Sequence, residues 1–105
     1  MKTTLKVGVI GIGNMGGAIA DALAAGSIAP HNLWISDINT TATNAFKHKF
    51  TEVHVTSSQE LASAVDILIL AVKPWLVETV LSELSPKLSD KQLLIQLQLA
   101  LILKR

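Results

Sequence analysis

The run Gly11-Ile12-Gly13-Asn14-Met15-Gly16 has the form Gly-x-Gly-x-x-Gly. It stands between an apolar stretch, Leu5 to Ile10, and a segment dense in Ala, Ile and Leu. Each glycine has a separate task in binding a pyrophosphate. Gly11 allows a tight turn, Gly13 lets the backbone approach the phosphates, and Gly16 lets a helix lie close on the preceding strand. The first N–H groups of that helix then face the anion, aided by the helix dipole. A bare match of this kind is weak, and its plain alternative is a glycine turn that holds nothing. Here the strand, the helix and a later acid accompany it, which points to a dinucleotide.

The acid is Asp37, 21 residues after Gly16 and at the end of a second apolar stretch, Leu33 to Ser36. An acid there accepts hydrogen bonds from the adenosine ribose hydroxyls of NAD. Its structural alternative is a helix cap. NADP binders place an Arg nearby, and Ile38-Asn39-Thr40-Thr41 contains none. Ser36 or Thr40 could still hydrogen-bond a 2′-phosphate, and Lys47 could reach it. The cofactor is therefore expected to be NADP or NAD, with NAD slightly favoured.

Ala71-Val72-Lys73-Pro74 ends the most continuously apolar stretch, Asp66 to Val72. Its backbone is expected at the nicotinamide end of the cofactor. Lys73 is better read as a loop lysine or phosphate contact than as a proton donor, so no catalytic residue is assigned. His31, His48 and His54 lack metal-ligand spacing, and no metal site is expected. Trp34 and Trp75 are read as core or rim packing.

These residues need elements to position them. Leu5–Ile10, Leu33–Ser36, Val53–Thr56, Asp66–Val72 and Leu93–Ile95 read as strands. Helices are expected from Met15 to Ala25, stopped by Gly26, from Asn39 or Thr40 to about Phe50, and from Ser57 through Ala64. The third opens on a Ser57/Glu60 capping box. Pro74 suits the first turn of a fourth helix that runs to about Leu84. Alternating strands and helices imply right-handed crossovers and a parallel sheet covered on both faces. The expected class is α/β: a doubly wound, Rossmann-type sheet of five strands in the order 3-2-1-4-5. Ligands of such sheets bind at the carboxyl ends of the strands, where the strand order reverses.

Composition narrows the class further. The chain has 105 residues, 50% of them hydrophobic and 16% charged, which excludes a disordered chain. The formal net charge of +1 argues against nucleic-acid and membrane-surface partners. There is no cysteine, so disulfides, thiolate nucleophiles and cysteine-bound metals are excluded. A signal peptide is rejected because Gly8, Gly11 and Gly13 interrupt the first apolar patch. A cytoplasmic protein is expected.

The chain resembles pyrroline-5-carboxylate reductases over about residues 5 to 95. The likeness is carried by Val9-Ile10-Gly11-Ile12-Gly13-Asn14-Met15-Gly16 with Ala18-Ile19, and by Val65-Asp66-Ile67-Leu68-Ile69-Leu70-Ala71-Val72-Lys73-Pro74. The glycine run alone also fits β-hydroxyacid dehydrogenases, and the Ala-Val-Lys-Pro ending separates the two. The resemblance implies hydride transfer from NAD(P)H to the C=N carbon of 1-pyrroline-5-carboxylate, giving proline. It implies that Ile10 to Met15 contact the pyrophosphate, that Ser36 and Asp37 sit at the adenosine ribose, and that Ala71 to Lys73 line the nicotinamide ribose. Ser58 falls where many members have Asn. A stand-alone nucleotide-binding module is the competing reading.

The organisation expected is a dinucleotide-binding domain over residues 1–95 and an atypical tail over 96–105. The family's helical substrate and dimerisation domain is absent, so the chain by itself is expected to be inactive. Where the family usually reads Ser-Val-Ala-Ala-Gly-Ile, this chain reads Gln96-Leu97-Gln98-Leu99-Ala100-Leu101-Ile102. One choice of codons for this run, CAG TTG CAG CTG GCA TTA ATC, preceded by one T, becomes TCA GTT GCA GCT GGC ATT and encodes the usual run. The expectation is a single-base frameshift near codon 96. Apolar residues alternate through the tail, which suggests an edge strand that self-associates.

Overall fold

The computed structural model describes residues 4–97. Most of the tail, residues 98–105, lies outside the described residues, and with it most of the alternating apolar run. Five strands form one parallel sheet in the order β3-β2-β1-β4-β5, as the alternation of elements implies. They are β1 (Val7–Ile10), β2 (Leu33–Ser36), β3 (His54–Val55), β4 (Ile67–Leu70) and β5 (Leu93–Gln96). The helices are α1 (Asn14–Ala22), α2 (Thr40–Lys49), α3 (Ser58–Ala64) and α4 (Val77–Leu84).

Strand residues alternate between two cores because successive side chains leave opposite faces of a sheet. Val7, Val9, Leu33, Ile35 and Ile69 join Ala20, Ala24, Ile28 and Phe46 on the α1/α2 face. Ile10, Leu68 and Leu70 join Leu61, Ala62, Val77 and Leu84 on the α3/α4 face. A sheet buried on both sides explains why β1 and β4 read as continuous apolar runs.

Gly8, in the middle of β1, belongs to this packing and was not singled out by its motif context. A Cβ there would collide with Leu61 Cδ2 and stand 3.0 Å from Val65 Cγ1. The glycine lets α3 lie directly on β1.

Several element ends differ from the expectation. Gly26 does not stop the first helix. A π-helical turn, Leu23–Ser27, continues past it, closed by Ile28 N–H donating to the Leu23 carbonyl at 2.9 Å. Ile28 is then buried in the α1/α2 core, which accounts for the widened turn. β3 is shortened to two exposed residues at the sheet edge. The helix after Pro74 opens as a 3-10 turn, Pro74–Leu76, before α4. The caps on α2 and α3 form as read. Asn39 accepts from Ala42 N–H at 3.3 Å, and Ser57 Oγ accepts from Glu60 N–H at 3.1 Å.

A further cap was not foreseen. Gln92 Nε2 donates to the Ala62 carbonyl at 2.6 Å and the Val65 carbonyl at 2.7 Å. Its amide satisfies carbonyls at the α3 C-terminus, which have no partner within the helix, and ties them to the segment that leads into β5.

Candidate dinucleotide cleft

The order reverses between β1, whose chain turns toward β2, and β4 on its other side. At their carboxyl ends the ladders are drawn tight. Gly11 N–H donates to the Ser36 carbonyl and Ala71 N–H to the Ile10 carbonyl, both at 2.8 Å. Three segments therefore meet around one point: the glycine run, the end of β2, and Ala71-Val72.

Gly11 adopts φ +91, which an L side chain rarely tolerates. A Cβ on it would also stand 2.9 Å from the Ala71 carbonyl carbon and oxygen and 3.0 Å from the Val72 nitrogen. The loop thus crosses directly over the backbone that follows β4. At Gly16 a Cβ would collide with the Gly11 carbonyl oxygen, so α1 can start this close to β1 only without a side chain. Gly13 is different. A Cβ there meets nothing within 4 Å, and the residue is exposed. No contact among the described residues requires a glycine at this position.

Gly13 is the N-cap of α1 and gives it no side-chain cap, and no acid lies in the first turn. The leading N–H groups of the helix have no intrahelical partner, and its positive end is not neutralised. Among the described residues, the N–H groups left without a protein acceptor there begin at Gly13. Gly11 N–H is engaged by Ser36, and Ile12 N–H donates to Asp37 Oδ2 at 2.8 Å. Ile10 and Ile12 are buried, and Asn14 and Met15 are exposed beside Gly13.

Asp37 is not the cap of the following helix; Asn39 fills that role. The Asp37 carboxylate instead spans two backbone donors, Ile12 N–H on Oδ2 and Asn39 N–H on Oδ1, each at 2.8 Å. It fastens the end of β2 to the glycine run. Ser36 is 4% exposed, and its Oγ lies 2.8 Å from Ser58 Oγ. The two serines therefore join the end of β2 to the start of α3, with the Ser36 hydroxyl buried. Lys47 does not turn toward Asp37. Its Nζ donates to the Val53 carbonyl at 2.6 Å.

Across the cleft, Ala71 and Val72 are half-buried and Lys73 is exposed ahead of Pro74. Trp75, read as core or rim packing, is 74% exposed beside them. Trp34 is half-buried and stacks on His54, with ring centroids 4.2 Å apart, and His54 Nε2 lies 2.9 Å from the His31 carbonyl. Two of the three histidines therefore belong to the amino-end edge of the sheet, away from the cleft. No helix among the described residues is long and apolar enough to cross a membrane.

Comparison with known proteins agrees with this fold. The chain is 36% identical to the pyrroline-5-carboxylate reductase of Escherichia coli (strain K12) over 93 residues, which is 88% of this chain and 35% of that protein. It thus spans about a third of the length of such relatives. The solved structure of a pyrroline-5-carboxylate reductase from Coxiella burnetii superposes on 97% of this chain and 40% of its own, with a TM-score of 0.83 and 32% identity. An imine reductase variant from Myxococcus stipitatus in complex with NAD+ shares the fold, with a TM-score of 0.77 at 20% identity over 91% of this chain and 32% of its own. Residues 6–98 match the family described as NADP oxidoreductase, coenzyme F420-dependent. The chain belongs to that family, and within it is similar to the pyrroline-5-carboxylate reductases.

Proposed function

We propose that this chain is the dinucleotide-binding portion of a pyrroline-5-carboxylate reductase, an enzyme that reduces the C=N bond of 1-pyrroline-5-carboxylate to give proline with NAD(P)H. Gly13 carries the proposal: an exposed glycine at an uncapped helix start, with nothing within 4 Å of where a side chain would begin. The residues fit the cofactor. Gly11, Gly13, Asn14, Met15 and Gly16 form the pyrophosphate cradle, with Ile10 and Ile12 anchoring it to the core. Asp37 takes the adenosine ribose, and Ser36 and Ser58 brace the same corner. Ala71, Val72 and Lys73 line the nicotinamide ribose, with Pro74 turning the chain away.

When bound, the cofactor supplies the hydride. The chain's own residues bind and orient it. None of them is assigned a proton transfer or a contact to the imine. The cytoplasm is the proposed compartment, and a second copy of the chain is a proposed partner.

Backbone chemical-shift mapping tests the assignment. Addition of NADH or NADPH shifts Gly13 to Gly16, Asp37 and Ala71 to Lys73, while His31, His54 and Gln92 stay unmoved. Shifts confined to the α3–β5 edge would place the ligand elsewhere. Mixing the same chain with NADPH and 1-pyrroline-5-carboxylate gives no proline above the uncatalysed rate, because nothing orients the imine against the nicotinamide.

A further inference from the structure

We propose that Trp75 is the stacking surface for the nicotinamide ring of the cofactor and favours its oxidised, cationic form. The inference rests on the dinucleotide reading above and extends it from the nicotinamide ribose to the ring itself.

The large apolar side chains left exposed among the described residues are unevenly distributed. Leu5 precedes β1, while Val55 on β3 and Leu93, Leu94 and Ile95 on β5 belong to the two edge strands. The other four, Met15, Ile38, Trp75 and Leu76, all follow the carboxyl ends of β1, β2 and β4, where the cleft opens. Ile38 adjoins Asp37 at the adenosine end, and Met15 belongs to the glycine run. Trp75, 74% exposed, follows the strand at the opposite end, and it is the aromatic residue of the four.

The backbone keeps Trp75 close to the nicotinamide end. Ala71 lies against the glycine run, since a Cβ at Gly16 would stand 2.9 Å from Ala71 Cβ. Trp75 follows Val72 by three residues, so their Cα atoms are at most about 11 Å apart. Val72 and Val77 both pack on the α3/α4 core, which pins the segment on each side of the tryptophan. Between them Pro74–Leu76 forms a 3-10 turn, closed by Leu76 N–H donating to the Lys73 carbonyl at 2.9 Å. A flat indole there suits the nicotinamide. Loss of the hydride leaves that ring a planar pyridinium cation, and a cation over an indole face is attracted by the ring quadrupole. The dihydro ring carries no such charge and gains stacking alone. The contact therefore stabilises the form that has already given up its hydride.

Calorimetric titration of the 105-residue chain with NAD+, NADH and ADP-ribose, which lacks the nicotinamide, isolates the ring. Trp75→Ala is expected to weaken NAD+ binding about three- to tenfold, NADH binding by less, and ADP-ribose binding not at all. Trp75→Phe recovers part of the loss, because a phenyl face attracts a cation less than an indole does. In the unaltered chain the Trp75 indole N–H resonance shifts with NAD+ and stays in place with ADP-ribose, a readout that needs no variant to fold. Equal losses for all three ligands mark a structural role and overturn the proposal, as does no loss for any. A loss shared equally by NAD+ and NADH overturns the preference for the cation. In each of these cases the dinucleotide reading stands. Failure of the unaltered chain to bind any of the three overturns both.

Discussion

Gly13 and Gly16 are three residues apart and differ in what a side chain would meet, nothing within 4 Å at Gly13 and the chain's own atoms at Gly16. At Gly16 the space is filled from within, by the Gly11 carbonyl and by Ala71 Cβ at 2.9 Å. Gly16→Ala is therefore expected to destabilise the chain by about 1–3 kcal/mol, the usual cost of overpacking a fitted site. Gly26 is the control. A Cβ there meets nothing within 4 Å, and its φ lies outside the left-handed region. Gly26→Ala is expected to stabilise by about 0.4–1 kcal/mol through the unfolded chain. Thermal unfolding followed by circular dichroism distinguishes the two signs; a Gly16→Ala variant as stable as the unaltered chain would contradict the packing described. At this scale the turn at Gly11 and the close packing at Gly16 were readable from spacing, because a run between strand and helix needs both. The role of Asp37 was readable only in part. Spacing places it at the end of β2 but cannot show that its carboxylate is already held by Ile12 and Asn39. Nor can it show that Lys47 is drawn away to Val53. Gly8 left one usable signal, a glycine inside an apolar strand, which marks close approach of another element.

Among the elements, the strands and their order were legible because a doubly buried strand is a continuous apolar run, and such runs alternate here with capped helices. Asn39 and Ser57 announce their helices by residue type, and both accept the expected backbone N–H. The π-helical turn after α1 was not legible. Gly26 suggests a stop, whereas the turn is set by the burial of Ile28 two residues later, a tertiary effect. The Gln92 clamp was hidden for the same reason, since its partners Ala62 and Val65 are distant in sequence. Gln92→Ala leaves two part-buried carbonyls without that donor and is expected to cost about 1–3 kcal/mol. Chemical denaturation measures it. A midpoint unchanged from the unaltered chain would show that the clamp contributes nothing net.

At the scale of the whole molecule, the described residues cover the sheet on both faces over β1, β2 and β4 and leave the apolar side chains of β5 exposed. Leu93, Leu94 and Ile95 are 56%, 38% and 37% exposed on the outer strand. An apolar outer strand is a template for another chain. Pairing of two copies edge to edge is expected to extend the sheet through backbone N–H and C=O groups. Light scattering at about 100 μM, where even a micromolar contact forms, is expected to show species heavier than the 11.2 kDa chain. A strictly monomeric solution would contradict this. The relatives that match the chain are about three times its length, since it covers 35% of the Escherichia coli protein. That proportion is why binding, rather than turnover, is the property to measure on this chain.

The central claim is that the crevice at the carboxyl ends of β1, β2 and β4 receives a dinucleotide pyrophosphate against Gly13. Gly13→Val tests it most directly. A Cβ at this position meets nothing within 4 Å and the backbone is extended, so the fold should be retained. Calorimetry with NADH and NADPH is expected to show saturable binding to the unaltered chain and none to Gly13→Val, with matching circular dichroism and both proteins folded at the titration temperature. Equal binding by both proteins would mean that the pyrophosphate does not lie against Gly13.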